Sequence, residues 1–157
     1  MINTFMMGLT HVIIYFSIGL LALMIGRKFF AWMVAYDLNY ETSENDNNAV
    51  SIAEAGFYIG LAIIINASVT GDINTSLFPF LDEENPVFWK VISAELIMTT
   101  IYYFIGLACL GFGRKGIHKI IPYDMDKEIL KDRNLGVGIL EASFYIAMSI
   151  IIHGILG

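Results

Sequence analysis

The 157-residue chain has the length of a single domain, yet 57% of its residues are hydrophobic and only 15% are charged. With a mean hydropathy of +0.67, this composition excludes an ordinary soluble domain. The net charge of −6, without a basic patch separate from neighbouring acids, argues against a nucleic-acid partner.

Four apolar stretches are each long enough to cross a bilayer, which takes about 20 residues in helical form. We predict helices at about 5–34, 47–69, 88–118 and 133–156, with an outer loop at 71–87. The stretches are continuously apolar, which disfavours the alternating strands of a β-barrel. The N-terminus has neither the basic segment nor the cleavage site of a secretory signal, so we expect the first helix to be retained. The predicted fold class is an all-α integral membrane protein with four transmembrane helices.

A single offset of 87 residues aligns the two halves of the chain without a gap. Gly-Arg-Lys at 26–28 falls on the same tripeptide at 113–115. We therefore predict two parallel two-helix repeats, which occupy residues 1–70 and 88–157. Because each unit contains an even number of helices, both units enter the membrane from the same side. Parallel repeats of this kind lead us to expect a pseudo-two-fold axis along the membrane normal.

The basic residues give an orientation. Eight of the nine, all except Lys90, lie toward the connections between helices 1 and 2 or between helices 3 and 4. The positive-inside rule places those connections in the cytoplasm. Both termini and the outer loop would then face outward across a bacterial-type cytoplasmic (inner) membrane.

Polar residues inside the predicted helices are the candidate site residues. They form one stripe on helix 2 and a similar stripe on helix 4: Asn47, Ser51, Glu54 and Tyr58, and Asn134, Gly138, Glu141 and Tyr145. An ionised carboxylate near the bilayer centre costs about 2.5–3.5 kcal/mol. The two glutamates must therefore face protein or water, pair with a cation, or carry a proton. Two roles stay open, a cation or proton site and a hydrogen-bonded acid that fixes helix register.

Small residues occupy roughly the opposite face of the same two helices. They include Ala49, Ala53, Gly56 and Gly60 on helix 2, and Gly136, Ser143 and Ala147 on helix 4. Small side chains allow helix backbones to approach closely in lipid. We predict that these faces pack against other helices, either within the chain or between subunits.

A second polar set is expected in the outer third of the bundle. It contains Glu95 on helix 3, His11 on helix 1 and His153 at the end of helix 4. A pair between Glu95 and either histidine would relay protons or hold a cation, or would be a neutral hydrogen bond. No H-x-x-x-H or C-x-x-C spacing accompanies these residues, so we expect no bound metal. The single cysteine, Cys109, is expected to be a small core residue.

The chain contains no G-x-S-x-G motif and no Walker-type glycine loop, so we expect neither an enzyme nor a cofactor. The leading hypothesis is an oligomeric ion, proton or small-cation channel. Its inner half would be lined by Glu54, Glu141 and their polar stripes, and its outer half by Glu95 with His11 or His153. The alternative is a non-conducting scaffold or anchor for a cytoplasmic or envelope-stress partner.

The polar head and apolar run that occur twice also give the chain a resemblance to a known family. The most specific segments are DNNA at 46–49 with AG at 55–56, and DRN at 132–134 with AS at 142–143. On these segments the chain resembles the YjfL-like bacterial inner-membrane proteins, domain-of-unknown-function family 350, over nearly its whole length. Ala-Ser in the second copy departs from the family's Ala-Gly. The resemblance implies two copies of a two-helix unit, and partners of the phage-shock type and the ATP-grasp, glutathionylspermidine-synthetase-like type.

Overall fold

The computed structural model describes residues 2–71 and 88–156, so the predicted outer loop, apart from Gly71, lies outside the described residues. The described elements in chain order are α1 (Ile2–Met33), a π-helical segment (Tyr40–Glu44), α2 (Asn48–Thr70), α3 (Phe88–Ile120), α4 (Met125–Leu130) and α5 (Leu135–Leu156). Four of these helices, α1, α2, α3 and α5, are long and apolar enough to cross a membrane. The prediction of an all-α protein with four membrane-spanning helices is confirmed.

Two polar connections, residues 34–47 and 121–134, lie at one end of the bundle, which we call the charged end. Each connection holds a short helical segment that begins after an aspartate. Asp37 accepts hydrogen bonds from the backbone N–H groups of Asn39 and Tyr40, and Asp124 accepts one from Lys127. Side-chain acceptors of this kind satisfy N–H groups that the first helical turn leaves unpaired. The opposite end, where α2 and α5 finish, is called the terminal end.

Asparagine starts each second helix. Asn47 accepts hydrogen bonds from the first backbone N–H groups of α2, and Asn134 does the same for α5. The residue before each asparagine, Asp46 or Arg133, has a left-handed backbone with φ of 48° or 49°. These asparagines therefore act as helix caps at matching positions.

The two second helices, α2 and α5, form the closest contact in the fold. Ala49 lies against Gly138, Gly56 against Ala142, and Gly60 against Ser149. Because the contact positions rise together along both helices, α2 and α5 run parallel and at the same depth. The helices approach so closely that a Cβ added at Gly56 would overlap the Ala142 backbone. The predicted packing role of the α2 small face is thus realised against α5.

The faces that meet are not equivalent in the two halves. Gly56 and Ala142 are buried against each other, so a pseudo-two-fold axis would also place Ser143 against Ala55. Both Ser143 and Ala55 are exposed instead. The expectation of a pseudo-two-fold relation is therefore wrong, because α2 offers its small face while α5 offers its opposite face.

The core lies on the charged-end side of this contact. Phe30 of α1 stacks on Phe57 of α2 at 4.7 Å, and Tyr145 of α5 meets Phe57 edge-to-face at 5.3 Å. All three rings are fully buried. Helix α2 contacts α1, α3 and α5, whereas α1 lies at the edge with most of its large apolar side chains exposed. Such a surface suits contact with lipid.

Substitution of Gly56 by alanine tests the close approach of α2 and α5. We expect a loss of about 1–3 kcal/mol in the free energy of unfolding, because overpacking forces the helices apart. Gly8→Ala is the matched control, since nothing lies within 4 Å of a Cβ at Gly8. It should be neutral or slightly stabilising because alanine favours helix. Thermal unfolding in lipid nanodiscs measures both, and equal stabilities for the two variants would contradict the packing.

Candidate functional site

The Glu141 carboxylate lies about two turns inside α5 and is completely buried. Arg114 of α3 donates from Nε to Glu141 Oε1 at 2.8 Å, and the Tyr145 hydroxyl donates to the same oxygen at 2.6 Å. The Arg114 side chain is itself only 6% exposed. The acid is thus held as one member of a closed ion pair, with a tyrosine as second donor.

Arg114 also joins the ion pair to other parts of the chain. Its Nη2 donates to the Asp126 carboxylate of α4, and its Nη1 donates to the Met33 carbonyl at 3.3 Å. The Met33 carbonyl is available because the last carbonyls of a helix such as α1 have no partner within the helix. One guanidinium therefore connects α3, α4, α5 and the end of α1.

The Glu54 carboxylate of α2 has the same kind of partner. Arg27 of α1 donates from Nε to Glu54 Oε1 at 3.3 Å, and from Nη2 to Asn39 Oδ1 at 2.6 Å. The hydroxyl of Tyr58 lies beside both charged groups. The three residues of this first site each lie 87 positions before a residue of the second site, in the pairs Arg27 and Arg114, Glu54 and Glu141, and Asn39 and Asp126.

The two ion pairs differ in how far the chain covers them. In the second pair the Arg114 and Glu141 side chains are 6% and 0% exposed, whereas Arg27 and Glu54 are 43% and 12% exposed. They also differ in charge, because Arg27 contacts the neutral Asn39 where Arg114 contacts Asp126. The first pair therefore lies at the surface of the bundle and the second in its interior.

Tyr36 adds a neutral hydroxyl to the buried pair. Burial raises the pKa of Tyr36, and the nearby Glu141 carboxylate raises it further. The hydroxyl therefore stays protonated. Among the described residues, neither this hydroxyl nor Glu141 Oε2 has a hydrogen-bond partner.

The outer polar set divides between two places. Glu95 accepts a hydrogen bond from the Tyr15 hydroxyl at 2.6 Å. Both residues line a cavity of about 280 Å³ near the terminal end, together with His11, Ser68 and Thr99. His153 is elsewhere, with its Nε2 3.1 Å from Asn66 Oδ1. The structure thus brings His11 to the same cavity as Glu95, and places His153 beside α2.

The remaining predicted residues are accounted for by local structure. Asn47 and Asn134 cap helices, and each also donates to a glutamate six residues earlier, Glu41 or Glu128. Asn47 donates in addition to the Ile129 carbonyl, which joins the two connections of the charged end. Gly60 packs beside Gly56, while Ser143 and Ala147 lie at the exposed surface.

The two arginines that complete the site were not among the site residues predicted from the sequence. The charge pattern gave Arg27 and Arg114 only a role in orientation, whereas each donates to a glutamate of the next spanning helix. The signal was present, because Gly-Arg-Lys recurs at the same offset as the glutamates. A duplicated cation and a duplicated acid at one spacing predict a duplicated ion pair.

No metal-ligand cluster is found where the structure describes the chain. Within residues 2–71 and 88–156, no three His, Cys, Asp or Glu side chains are grouped so as to hold a metal ion. Cys109 is half-buried on α3 with a free thiol.

Sequence comparison places this architecture in a family. The family model described as Domain of Unknown Function (DUF350) matches residues 4–156. The chain belongs to the DUF350 family. The match covers all four membrane-spanning helices and both ion pairs of this DUF350 chain. No curated protein and no solved structure matches it.

Replacing the glutamate of each ion pair measures how much that pair contributes to the stability of the fold. We expect Glu141→Gln to lower the free energy of unfolding by about 3 kcal/mol, because Arg114 would stay buried with only the partly exposed Asp126 as its counter-charge. Glu54→Gln should cost less, since Arg27 is 43% exposed. Unfolding in nanodiscs gives both values.

The double variant Arg114→Gln/Glu141→Gln is the control for this experiment. It should be more stable than Glu141→Gln alone, because no unpaired charge remains buried. Additive losses in the double-mutant cycle would show that the two groups do not interact.

Proposed function

We propose that this chain is a non-conducting membrane scaffold that assembles with copies of itself. One observation carries the proposal: both glutamates of the second helices are held in ion pairs by arginines of the preceding helices. An acid that takes part in cation conduction must release its partner as the ion passes. Here each guanidinium occupies the site where a passing cation would bind, so the pairing supports a role in holding the fold.

The uneven burial of the two pairs supports self-association. Arg27 is 43% exposed on a helix that is apolar enough to cross the membrane. On insertion scales, a guanidinium facing lipid costs about 2.5–3.5 kcal/mol at the bilayer centre, and less toward the helix end where Arg27 lies. A second protein surface over this pair removes that cost. The scaffold therefore gains stability by assembling.

The orientation of the scaffold follows from its basic residues. By the positive-inside rule, the charged end faces the cytoplasm of a bacterial cell and both termini face outward. The exposed charged residues of the two connections then face cytoplasmic partners. The chain holds no catalytic role in this proposal.

A flux assay separates the scaffold from a channel. Proteoliposomes containing the protein should pass protons, monovalent cations and polyamines no faster than empty liposomes. A known channel reconstituted at the same protein-to-lipid ratio is the positive control. Flux above the empty-liposome level that falls in Glu54→Gln or Glu141→Gln would overturn the scaffold proposal in favour of conduction.

The cavity near the terminal end favours a second candidate function, the binding of a small cation from the outer side. Glu95 provides a carboxylate there, and Tyr15, Ser68 and Thr99 provide hydroxyl oxygens. Oxygen ligands of this kind suit hard cations and amines. The cavity measures about 280 Å³, which is enough for a hydrated monovalent ion or a primary amine.

Thermal shift measurements test the cavity. Raising the concentration of a small cation, with K⁺, Ca²⁺ and methylammonium as probes, should raise the midpoint of unfolding of the wild type, because a ligand bound to the native state stabilises it. Glu95→Gln should lose this response while keeping the same midpoint in its absence. An equal response of both proteins would place the effect outside the cavity. Choline at equal ionic strength controls for salt.

A further inference from the structure

We propose that copies of the chain assemble head to tail, with the small face of α5 in one copy packed on the outer face of α2 in the next. The inference rests on the proposed self-association and names its interface. The observation behind it is the contact of α2 with α5 inside the chain. The face of α5 equivalent to the α2 side of this contact is exposed, and so is most of the face of α2 equivalent to the α5 side. If the movement that relates the first half of the chain to the second is applied again, it brings these two faces of neighbouring copies together.

The residues of the two exposed faces are found by applying the offset of 87 residues to the α2–α5 contact. Inside the chain, Ala49, Gly56 and Gly60 pack against Gly138, Ala142 and Ser149. The matching outward positions are Gly136, Ser143 and Ala147 on α5, and Ser51, Ala55 and Ala62 on α2. Except for the half-buried Ser51, all of these outward positions are exposed. Six small residues at these positions are unusual for helix faces that would otherwise contact lipid, and small residues mark helix–helix interfaces in membranes.

A contact between α3 and α2 points to the same operation. Inside the chain Gly106 of α3 faces Ile64 of α2, so closely that a Cβ at Gly106 would overlap the isoleucine. The matching outward positions are Gly19 of α1 and Ile151 of α5. Nothing lies within 4 Å of a Cβ at Gly19, and Ile151 is exposed. The α1 of a following copy would thus occupy, beside α5, the place that α3 occupies beside α2.

The same operation covers the exposed ion pair. Phe30 and Phe57 pack on Tyr145, which donates to Glu141, and Met33 supplies a carbonyl to Arg114. The residues that match Phe30, Met33 and Phe57 are Ile117, Ile120 and Phe144, of which Ile120 is 82% exposed at the end of α3. In the assembly these residues of one copy would lie over Arg27 and Glu54 of the next. The second copy therefore completes the site around the first ion pair.

The contact is heterologous, since each copy uses one face to bind forward and a different face to bind backward. Repetition gives a ring if the rotation closes and an open array if it does not. Because α2 and α5 are parallel and at the same depth, the operation keeps every copy upright in one bilayer. A two-fold dimer, in which one face binds itself, is the competing arrangement.

Disulfide cross-linking in native membranes tests the interface. In a Cys109→Ala background, Ala55→Cys and Ser143→Cys together should give a ladder of dimers and larger species on a non-reducing gel. Each single variant should stay monomeric on the gel, because neither position meets itself. Met6→Cys with Ser93→Cys is the matched control, since both positions are exposed and lie 87 residues apart. Because Ser93 stays exposed beside the first half of its own chain, its counterpart Met6 should stay exposed beside a neighbouring copy. The control pair should give no ladder.

Gly19→Leu provides a second measurement that does not depend on disulfide chemistry. It should weaken the ladder formed by the Ala55→Cys/Ser143→Cys variant several-fold. It should not lower the unfolding midpoint of the detergent-solubilised chain, because a side chain at position 19 has room within one copy. Gly116→Leu is its control, since Gly116 also has open space and its counterpart, Phe29, already carries a large side chain. It should leave the ladder unchanged.

Subunit counting by single-molecule photobleaching in nanodiscs separates the failure of this interface from the failure of the scaffold proposal. Multimers without the double-cysteine ladder would overturn the head-to-tail interface and leave self-association standing. Monomers in every preparation would overturn both. Cross-linking of a single variant as strong as that of the pair would indicate the two-fold dimer and overturn the interface.

Discussion

The pairing of a glutamate with an arginine inside apolar helices is the constraint on which the rest of the fold depends. Lipid offers no solvent for either charge, so each must find the other within reach of its side chain. Glu141 and Arg114 meet from neighbouring helices at 2.8 Å, which fixes the rotation and depth of α5 against α3. Glu54 and Arg27 do the same for α2 against α1.

The arginine also determines how the charged end is arranged. A guanidinium presents five donors in a planar fork, so one carboxylate does not satisfy it. Arg27 and Arg114 therefore reach on to Asn39 and Asp126 in the short connections. Each connection must bring that acceptor back to the helix pair before the asparagine cap starts the next span. The ion pair, the connection and the cap thus form one unit of structure, found in both halves.

The sequence was sufficient for the number of spanning helices because hydrophobic length is a direct physical requirement of the bilayer. It also identified Glu54 and Glu141 as costly. Their partners were missed because the charge pattern gave Arg27 and Arg114 only a role in orientation, although α1 and α3 continue for six residues beyond each arginine. A spanning helix can carry an arginine at this depth only where a neighbouring helix places an acid within its reach. Which acid lies within reach depends on helix packing, and residue spacing alone does not determine that packing.

The relation between the halves was mispredicted for a different reason. An even number of helices fixes which way the second unit points, but it leaves the rotation about the membrane normal free. The rotation is set by which faces can approach. Gly138 and Ala142 provide small residues on the face of α5 opposite to Ser143, so α5 has two faces able to pack. The presence of small residues on two opposite faces of α5 was the sequence signal that either face could pack against α2.

Non-equivalent faces explain why two similar units have unlike ion pairs. In the first unit, Phe30 and Phe57 pack on Tyr145 beside Glu141, and the end of α1 contacts Arg114; no described part of the chain does this for Arg27 and Glu54. Burial strengthens the attraction between the charges, so the covered arginine can hold a second acid, Asp126. The uncovered arginine faces the neutral Asn39 at the matching position. The two similar halves therefore differ where their surroundings differ, and the uncovered pair marks the surface at which the proposed assembly would place the next copy.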